Sequence, residues 1–246
     1  MKRVLAGLRQ MYGPKKWQHW GKGVDILVET ILSQNTSNAN SSAGFKRLRR
    51  HFRSWNQVMN APVEEVEKCI RVSGLSRVKA PRIQSILRQI KNDRGKLDLE
   101  FLADLPPEEG YEFLKKFSGV GPKTANCVLL FSFGMGVFPV DTHIHRIAIR
   151  LGLIPEKSSA AEAHELLKEM IEPADRYEMH ILLVEHGRKT CKARNPLCHK
   201  CALLAMCPLG RVACAASALS IYPAAQAGSA EAPHLWPRSA RRFACF

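Results

Sequence analysis

The sequence predicts an all-α protein. Hydrophobic residues make up 46% of its 246 residues, which is enough for a substantial core, whereas aromatic residues contribute only 7%. Leu, Val, Ile and Ala recur with helical spacing, as in the segment VDILVETIL, where positions 24, 27, 28, 31 and 32 are apolar. No run alternates between apolar and polar residues strongly enough to predict a strand, and no repeat of solenoid period is present.

Further helices are predicted from the same spacing and from residues that favour helix ends. They cover residues 43–52, 62–70, 79–91, 109–117, 123–133, 142–151, 160–171 and 175–186. Asp141 is a predicted N-cap, as are Ser158 and Ser159, and Gly187 is placed to end the last helix. The polar run SQNTSNANSS at 33–42 is predicted to be mainly a loop.

Charge and hydropathy narrow the class of protein. No stretch approaches the roughly 20 apolar residues that a membrane span needs, and the basic N-terminus lacks the apolar segment of a secretory signal. The net charge is +15, from 37 Lys and Arg against 22 Asp and Glu. Such an excess favours a polyanionic partner, above all nucleic acid, over ribosome association or an anionic membrane surface. We expect a monomer in the reducing cytoplasm.

The segment FSGVGPKTAN at 117–126 predicts a turn between two helices. Gly119 and Gly121 allow positive φ and close approach of a partner, and the N–H groups at the start of the next helix form an anion site. Such a hairpin holds a DNA phosphate without reading a base, although an ordinary helix–turn–helix in a bundle has the same pattern.

Two residues, one in this turn and one further along the chain, are candidate catalytic residues. Lys123 begins the helix, where the positive end of the helix dipole favours the neutral amine that attacks a carbonyl carbon; a plain phosphate-binding lysine is the alternative. Asp141, in FPVDTH, stands in front of another helix after a rigid proline. Its carboxylate could stabilise a developing sugar cation or move a proton, or simply cap the helix.

Four cysteines follow, with the spacing C-x6-C-x2-C-x5-C: Cys191, Cys198, Cys201 and Cys207. The loop is too short for two unstrained disulfides but can enclose one soft-metal centre, either a tetrahedral zinc or an iron–sulfur cluster. Basic residues surround the cysteines, among them Lys192 and Arg194, so the loop can dock on phosphates.

Together these segments resemble the endonuclease III branch of the helix-hairpin-helix DNA glycosylases. The matching segments are LSQNT at 32–36, GVGPKTAN at 119–126, VDTH at 140–143 and the cysteine loop, so the resemblance spans roughly residues 20–208. It implies a bilobal all-α fold. One lobe is a six-helix barrel at 24–136, with the hairpin at about 109–133. The other combines 1–23 with 137–208 and carries a [4Fe–4S] cluster. Independently of the resemblance, residues 209–246 are predicted to form a weakly ordered tail, because they are rich in alanine and contain few large aliphatic residues.

The resemblance also implies roles for individual residues. Lys123 is the nucleophile, Asp141 supports the sugar cation or a proton transfer, and the four cysteines hold the [4Fe–4S] cluster. Gln34 or Asn35 fills the gap that a flipped base leaves. The remaining residues that the resemblance places on DNA are Gly119, Val120, Gly121, Thr124, His143, Lys192 and Arg194. A monovalent cation is expected on the hairpin carbonyls.

The implied activity is that of a bifunctional glycosylase and AP lyase, which removes oxidised pyrimidines from duplex DNA and nicks the strand by β-elimination. Pro122 departs from the family, which usually has a basic residue there, and SQNTSN at 33–38 also resembles the eukaryotic 5-methylcytosine glycosylases. Three alternatives remain: a monofunctional mismatch glycosylase, a non-catalytic DNA-binding module and a zinc-ribbon protein.

Overall fold

The computed structural model describes residues 1–212, which are helical and contain no strand, as predicted. No helix in this range is long and apolar enough to cross a membrane. The tail predicted for 209–246 lies outside the described residues from position 213 onward. The α-helices are α1 (Lys2–Tyr12), α2 (Gly23–Leu32), α3 (Asn38–His51), α4 (Trp55–Asn60), α5 (Val63–Ile70), α6 (Ser76–Arg94), α7 (Pro107–Lys115), α8 (Pro122–Phe133), α9 (Thr142–Arg150), α10 (Ala160–Met170) and α11 (Arg176–Lys189).

Side-chain caps fix several of these helix starts. Ser159 caps α10, where its Oγ accepts from the Glu162 backbone N at 3.2 Å and its own N donates to the Glu162 carboxylate at 2.7 Å. Ser54 and Gln57 form the same reciprocal capping box at α4. Each arrangement gives partners to backbone N–H groups that the first helical turn leaves unpaired.

The structure differs from three sequence predictions. Gly187 does not end α11, which runs on to Lys189. A Cβ at this glycine would stand 2.7 Å from the Cβ of His143, so close packing explains the glycine better than helix termination. The polar run at 33–42 divides into a turn and the first residues of α3, because Ser37 Oγ accepts from Asn40 N at 3.2 Å and caps that helix. The helices α1 and α4 were not predicted from the sequence.

The described chain divides into two compact units, and Lys16–Val140 with His164–His180 forms one of them. Its centre is α2, which is buried along nearly its whole length and packs on α8, α3 and α6. The α8 helix is similarly apolar and buried from Thr124 to Ser132. These two helices lie in the core, and the turns at their ends carry the candidate site.

Residues 16–23, assigned above to the cluster lobe, belong to this unit because they pack on α8. Trp17 Nε1 donates to the Leu130 carbonyl at 2.9 Å, and Trp20 stacks on Phe131 at a centroid distance of 4.7 Å. Residues 164–180 belong to it as well, since His164 Nε2 accepts from Val140 N at 3.0 Å.

The other unit contains Met1–Lys15, Asp141–Ala163 and the chain from Ile181 onward. Val4, Leu5 and Leu8 form the buried face of α1. A Cβ at Gly7 would lie 2.7 Å from a methyl group of Leu203, so α1 packs closely on the loop that contains the cysteines. Tyr12, at the end of α1, bonds His186 Nδ1 at 2.9 Å and Thr190 Oγ1 at 2.7 Å.

Candidate active site and cysteine cluster

The turn between α7 and α8 has the geometry of an anion-binding hairpin. Gly119 adopts φ +80°, a left-handed conformation that favours glycine. The turn is closed by a bond of 3.0 Å from Val120 N to the Phe117 carbonyl. Gly121 stands in front of α8 and offers no side-chain cap, and Pro122 is the first helical residue. The next N–H groups of α8 therefore have no helical acceptor and remain available to an anion.

The hairpin side chains differ in what they can contact. Val120 is 5% exposed and Thr124 is 3% exposed, so both side chains point into the protein. A role for these two residues in DNA binding would therefore use their backbone N–H groups. Lys123 lies between them in the first turn of α8 and is half-buried. Among residues 1–212, no carboxylate forms an ion pair with its amine.

Gln34 and Asn35, which were equivalent candidates in the sequence, occupy different environments. Gln34 Nε2 donates to the Gly119 carbonyl at 3.1 Å, so this side chain is held on the hairpin. Asn35 is exposed and adopts φ +53°, a left-handed conformation that asparagine tolerates better than most residues. Of the two, Asn35 has the side chain that is free to enter a DNA duplex.

Asp141 belongs to the other unit, where it caps α9. One carboxylate oxygen accepts from the Ile144 backbone N at 2.8 Å, and the preceding residues 138–140 are buried. The side chain is half-exposed, so the carboxylate is oriented by the helix yet still accessible to solvent. Asp141 therefore caps α9 with one carboxylate oxygen, and its second oxygen is available for catalysis.

His143 is the second residue of α9 and packs against Gly187. Burial lowers the pKa of its imidazole, and the nearby Arg146 and Arg188 lower it further against the opposing effect of Asp141. The neutral ring is consistent with a bond of 3.2 Å between its Nδ1 and the Arg146 guanidinium. A phosphate-binding role for His143 would therefore rely on hydrogen bonding rather than on charge.

The four cysteines line a single cavity between the end of α9 and the loop that follows α11. Arg150 Nη1 donates to Cys191 Sγ at 3.3 Å, and Gly210 N donates to Cys207 Sγ at 3.3 Å. Burial and, to a smaller extent, the other three sulfurs raise the pKa of the Cys201 thiol to about 11. Four thiolates in this cavity would therefore need cationic compensation.

A single metal ion and an iron–sulfur cluster require different spacings of four cysteine sulfurs. Sulfurs around a tetrahedral zinc lie about 3.8 Å apart, given Zn–S bonds of about 2.3 Å. Within residues 1–212, no group of three or more His, Cys, Asp or Glu side chains is arranged to hold a single ion. The cysteine ligands of an iron–sulfur cluster bind separate iron atoms, so their sulfurs are spaced further apart around a shared cavity.

Two arginines of α9, which were not predicted as functional residues from the sequence, hold the cysteine loop. The Arg146 guanidinium donates to the carbonyls of Gly187 and Cys191 at 3.0 and 2.9 Å. Arg150 donates to the carbonyl of Lys192 at 2.7 Å and to that of the next residue at 3.0 Å. Their spacing of four residues on one helix was the available signal, since it places both on one helical face.

Lys192 and Arg194 are both exposed in the segment between the first two cysteines. Arg150 donates to the carbonyls of Lys192 and of the residue that follows it, so hydrogen bonds fix the backbone from which the two cations project. This position is compatible with the phosphate contacts predicted for them.

Comparison with known proteins agrees with this geometry. Residues 28–173 match the family model described as HhH-GPD superfamily base excision DNA repair protein. The chain is 40% identical over 171 residues to a putative DNA glycosylase of Arabidopsis thaliana, a match that covers 69% of this chain and 58% of the plant protein. It is 33% identical to endonuclease III of Sulfolobus acidocaldarius, covering 74% of this chain and 79% of that protein.

A solved structure is also similar. A trapped endonuclease III–DNA covalent intermediate, an estranged-adenine complex, superposes with a TM-score of 0.75 at 30% identity. The superposition covers 87% of this chain and 96% of the other. The family match, the two relatives and this fold similarity lead to one conclusion: the chain belongs to the HhH-GPD superfamily of base excision DNA repair proteins, in its endonuclease III branch, and is a DNA glycosylase.

Proposed function

We propose that the protein is a bifunctional glycosylase and AP lyase that acts on oxidised pyrimidines in duplex DNA. The observation that carries the proposal is the position of Lys123. Its amine lies in the first turn of α8, directly after a glycine hairpin with unpaired N–H groups, and no carboxylate neutralises it among the described residues. The trapped covalent complex of the similar endonuclease III supports a covalent route.

The proposed reaction begins with a flipped nucleotide whose backbone phosphate lies on the hairpin N–H groups. The neutral Lys123 amine attacks the sugar C1′, the C1′–N glycosidic bond breaks, and the damaged base leaves with its bonding electron pair and takes up a proton. Asp141 would stabilise the positive charge that develops on the sugar or move that proton. Asn35 would occupy the gap in the duplex.

Strand cleavage would follow from the same covalent adduct. The nitrogen lone pair then forms a C=N bond as the C1′–O4′ bond breaks and O4′ takes up a proton, so the sugar ring opens and leaves a protonated imine between Lys123 and C1′. This imine acidifies the C2′ hydrogen. Removal of that hydrogen forms a C1′–C2′ enamine and expels the 3′ phosphate, which breaks the C3′–O bond. Water then hydrolyses the imine and regenerates the amine, leaving a nick on the 3′ side of the lesion.

The cysteine cavity would hold a [4Fe–4S] cluster through Cys191, Cys198, Cys201 and Cys207. The chemistry that such a cluster supplies here is structural, because its four bonds would tie the loop together. In addition to Arg150, those bonds would keep Lys192 and Arg194 in place for phosphates. A monovalent cation on the hairpin carbonyls is a further proposal; the Gly119 carbonyl already accepts one bond from Gln34.

The experiment is strand cleavage and borohydride trapping on duplexes that contain thymine glycol, uracil, T·G, 5-methylcytosine, A·8-oxoguanine or an abasic site. We expect nicking and a trapped complex with thymine glycol and with the abasic site. Lys123→Ala should abolish both, whereas Lys116→Ala, which alters a lysine before the turn, should abolish neither. Base release without nicking would favour a monofunctional glycosylase, and binding without either product would favour a non-catalytic module.

A further inference from the structure

Arg82, on α6, covers the hairpin turn, although no sequence motif drew attention to it. A Cβ at Gly119 would stand 2.6 Å from both Cδ and Cζ of Arg82, so the arginine side chain lies directly on the backbone of that glycine. Arg82 is half-buried, and both residues belong to the same compact unit. The turn that is predicted to bind phosphate therefore has a guanidinium packed on it.

Gln34 holds this guanidinium in place. Its Oε1 accepts from Arg82 Nη1 at 3.3 Å, while its Nε2 donates to the Gly119 carbonyl at 3.1 Å. The amide thus connects the arginine to the hairpin and lies next to the exposed Asn35. Because an amide is neutral, it orients the guanidinium without cancelling its charge.

The charge of Arg82 is uncompensated in the described part of the chain. No carboxylate of residues 1–212 forms an ion pair with it. A guanidinium has five N–H donors, and the bond to Gln34 uses one, which leaves others for an anion. A half-buried cation with free donors on a phosphate-binding turn is the arrangement expected for a phosphate ligand.

The proposed chemistry creates a need for such a cation. Lys123 must be neutral to attack a carbon atom, so it cannot serve as the charged phosphate ligand at the same time. Position 122 is proline and offers neither charge nor N–H. Arginine remains charged at any physiological pH, so a cation can stay on the hairpin while the lysine reacts.

We propose that Arg82 binds a DNA backbone phosphate at the hairpin and that Gln34 positions it there. Arg82 thereby supplies the positive charge that Pro122 and a neutral Lys123 do not. The inference rests on the proposed function for the identity of the partner, and the experiment that tests it measures DNA binding without catalysis.

The test is the salt dependence of binding to a duplex with a tetrahydrofuran abasic analogue, which the lyase reaction cannot cleave. Losing one phosphate contact should reduce the slope of log affinity against log salt by about 0.9. We expect this reduction for Arg82→Gln and little change for Arg82→Lys, which keeps the charge. The matched control is Arg88→Gln on the same helix; Arg88 instead donates to the Met59 carbonyl at 3.2 Å, and its loss should leave the slope unchanged.

A second measurement identifies the phosphate and does not depend on the folding of one variant. Single methylphosphonates, which are neutral, are placed one at a time around the abasic analogue. At one position the methylphosphonate should weaken DNA binding by the wild-type protein but should not weaken DNA binding by the Arg82→Gln variant any further. If that variant does not fold, Gln34→Glu should give the same loss of response, because its carboxylate would neutralise the arginine in place.

Equal slopes for wild type and a folded Arg82→Gln would overturn the proposal, as would equal responses to every methylphosphonate. A protein that shows the Arg82-dependent slope but no borohydride-trapped complex would retain this inference and lose the proposed lyase function. The two proposals therefore fail on different measurements.

Discussion

Lys79 makes the stability of this protein depend on pH, in the direction opposite to that of a lysine whose pKa is raised by an ion pair. The side chain is only 1% exposed, and its amine donates to the carbonyls of Leu32 and Ser73 at 2.8 Å each. Burial lowers the pKa of Lys79 from 10.5 to about 8. The folded protein therefore releases this proton more readily than the unfolded chain does.

The sign of the effect follows from proton binding. Between pH 8 and 10.5 the unfolded chain binds more protons at Lys79 than the folded protein does, so the contribution of this residue to the free energy of unfolding rises with pH. A pKa difference of this size corresponds to about 3 kcal/mol over the whole window. Below pH 8 both states are protonated and the contribution is constant.

The perturbation is Lys79→Met, which keeps the apolar stem and removes the titrating amine. The variant leaves two carbonyls without their donor, and this costs about 1–3 kcal/mol for each at every pH. The assay is urea unfolding of both proteins at several pH values from 7 to 10.5. We subtract the free energy of unfolding of the variant from that of wild type, so that the contributions of all other titrating groups cancel. This difference should rise by about 3 kcal/mol between pH 8 and 10.5.

The control is Lys91→Met on the same helix, whose exposed amine donates to the Gly95 carbonyl and has no buried partner. The difference between wild type and this variant is the background against which the rise at Lys79 is measured. A difference between wild type and Lys79→Met that stays flat, or falls as pH rises, would refute the argument that burial governs the protonation of Lys79.

Three further variants test other parts of the structure. Gly187→Ala should lower the free energy of unfolding by about 1–3 kcal/mol, because its Cβ would meet the Cβ of His143 at 2.7 Å; an unchanged urea midpoint would contradict this packing. Arg150→Met removes a bond to Cys191 Sγ and two to loop carbonyls, so urea unfolding should show a loss of about 1–3 kcal/mol, and no loss would mean that the loop is held by other contacts. Asp141→Asn keeps a good N-cap but loses the charge, so single-turnover base release should slow about 100-fold with an unchanged unfolding curve; an unchanged rate would restrict this residue to capping.

The sequence predicted most helices because their signals are local. Apolar spacing and the caps at Asp141 and Ser159 depend on residues a few positions apart, and the structure has helices at these sites. Gly187 was misassigned because a glycine near a helix end is usually a terminator, whereas here it accommodates a side chain more than 40 residues away in sequence. Close packing of this kind leaves no local pattern.

Some residues of the candidate site were likewise recognisable from local sequence, whereas others are brought together only by the fold. The glycine hairpin and the four cysteines are short motifs, so their chemistry could be inferred before any coordinates. Arg82 lies 37 positions before Gly119 in an ordinary amphipathic helix, and only the fold brings its side chain onto the turn. The distinction between Gln34 and Asn35 likewise depended on backbone conformation and on a bond to a distant carbonyl.

The proposed function depends above all on a covalent bond between Lys123 and DNA. The most direct measurement is mass-spectrometric mapping of the peptide that remains attached to an abasic-site duplex after borohydride reduction. We expect the reduced sugar to be bonded to Nζ of Lys123, at the start of α8. An adduct on any other lysine or on the N-terminal amine, or its formation at an undiminished rate in Lys123→Ala, would contradict it.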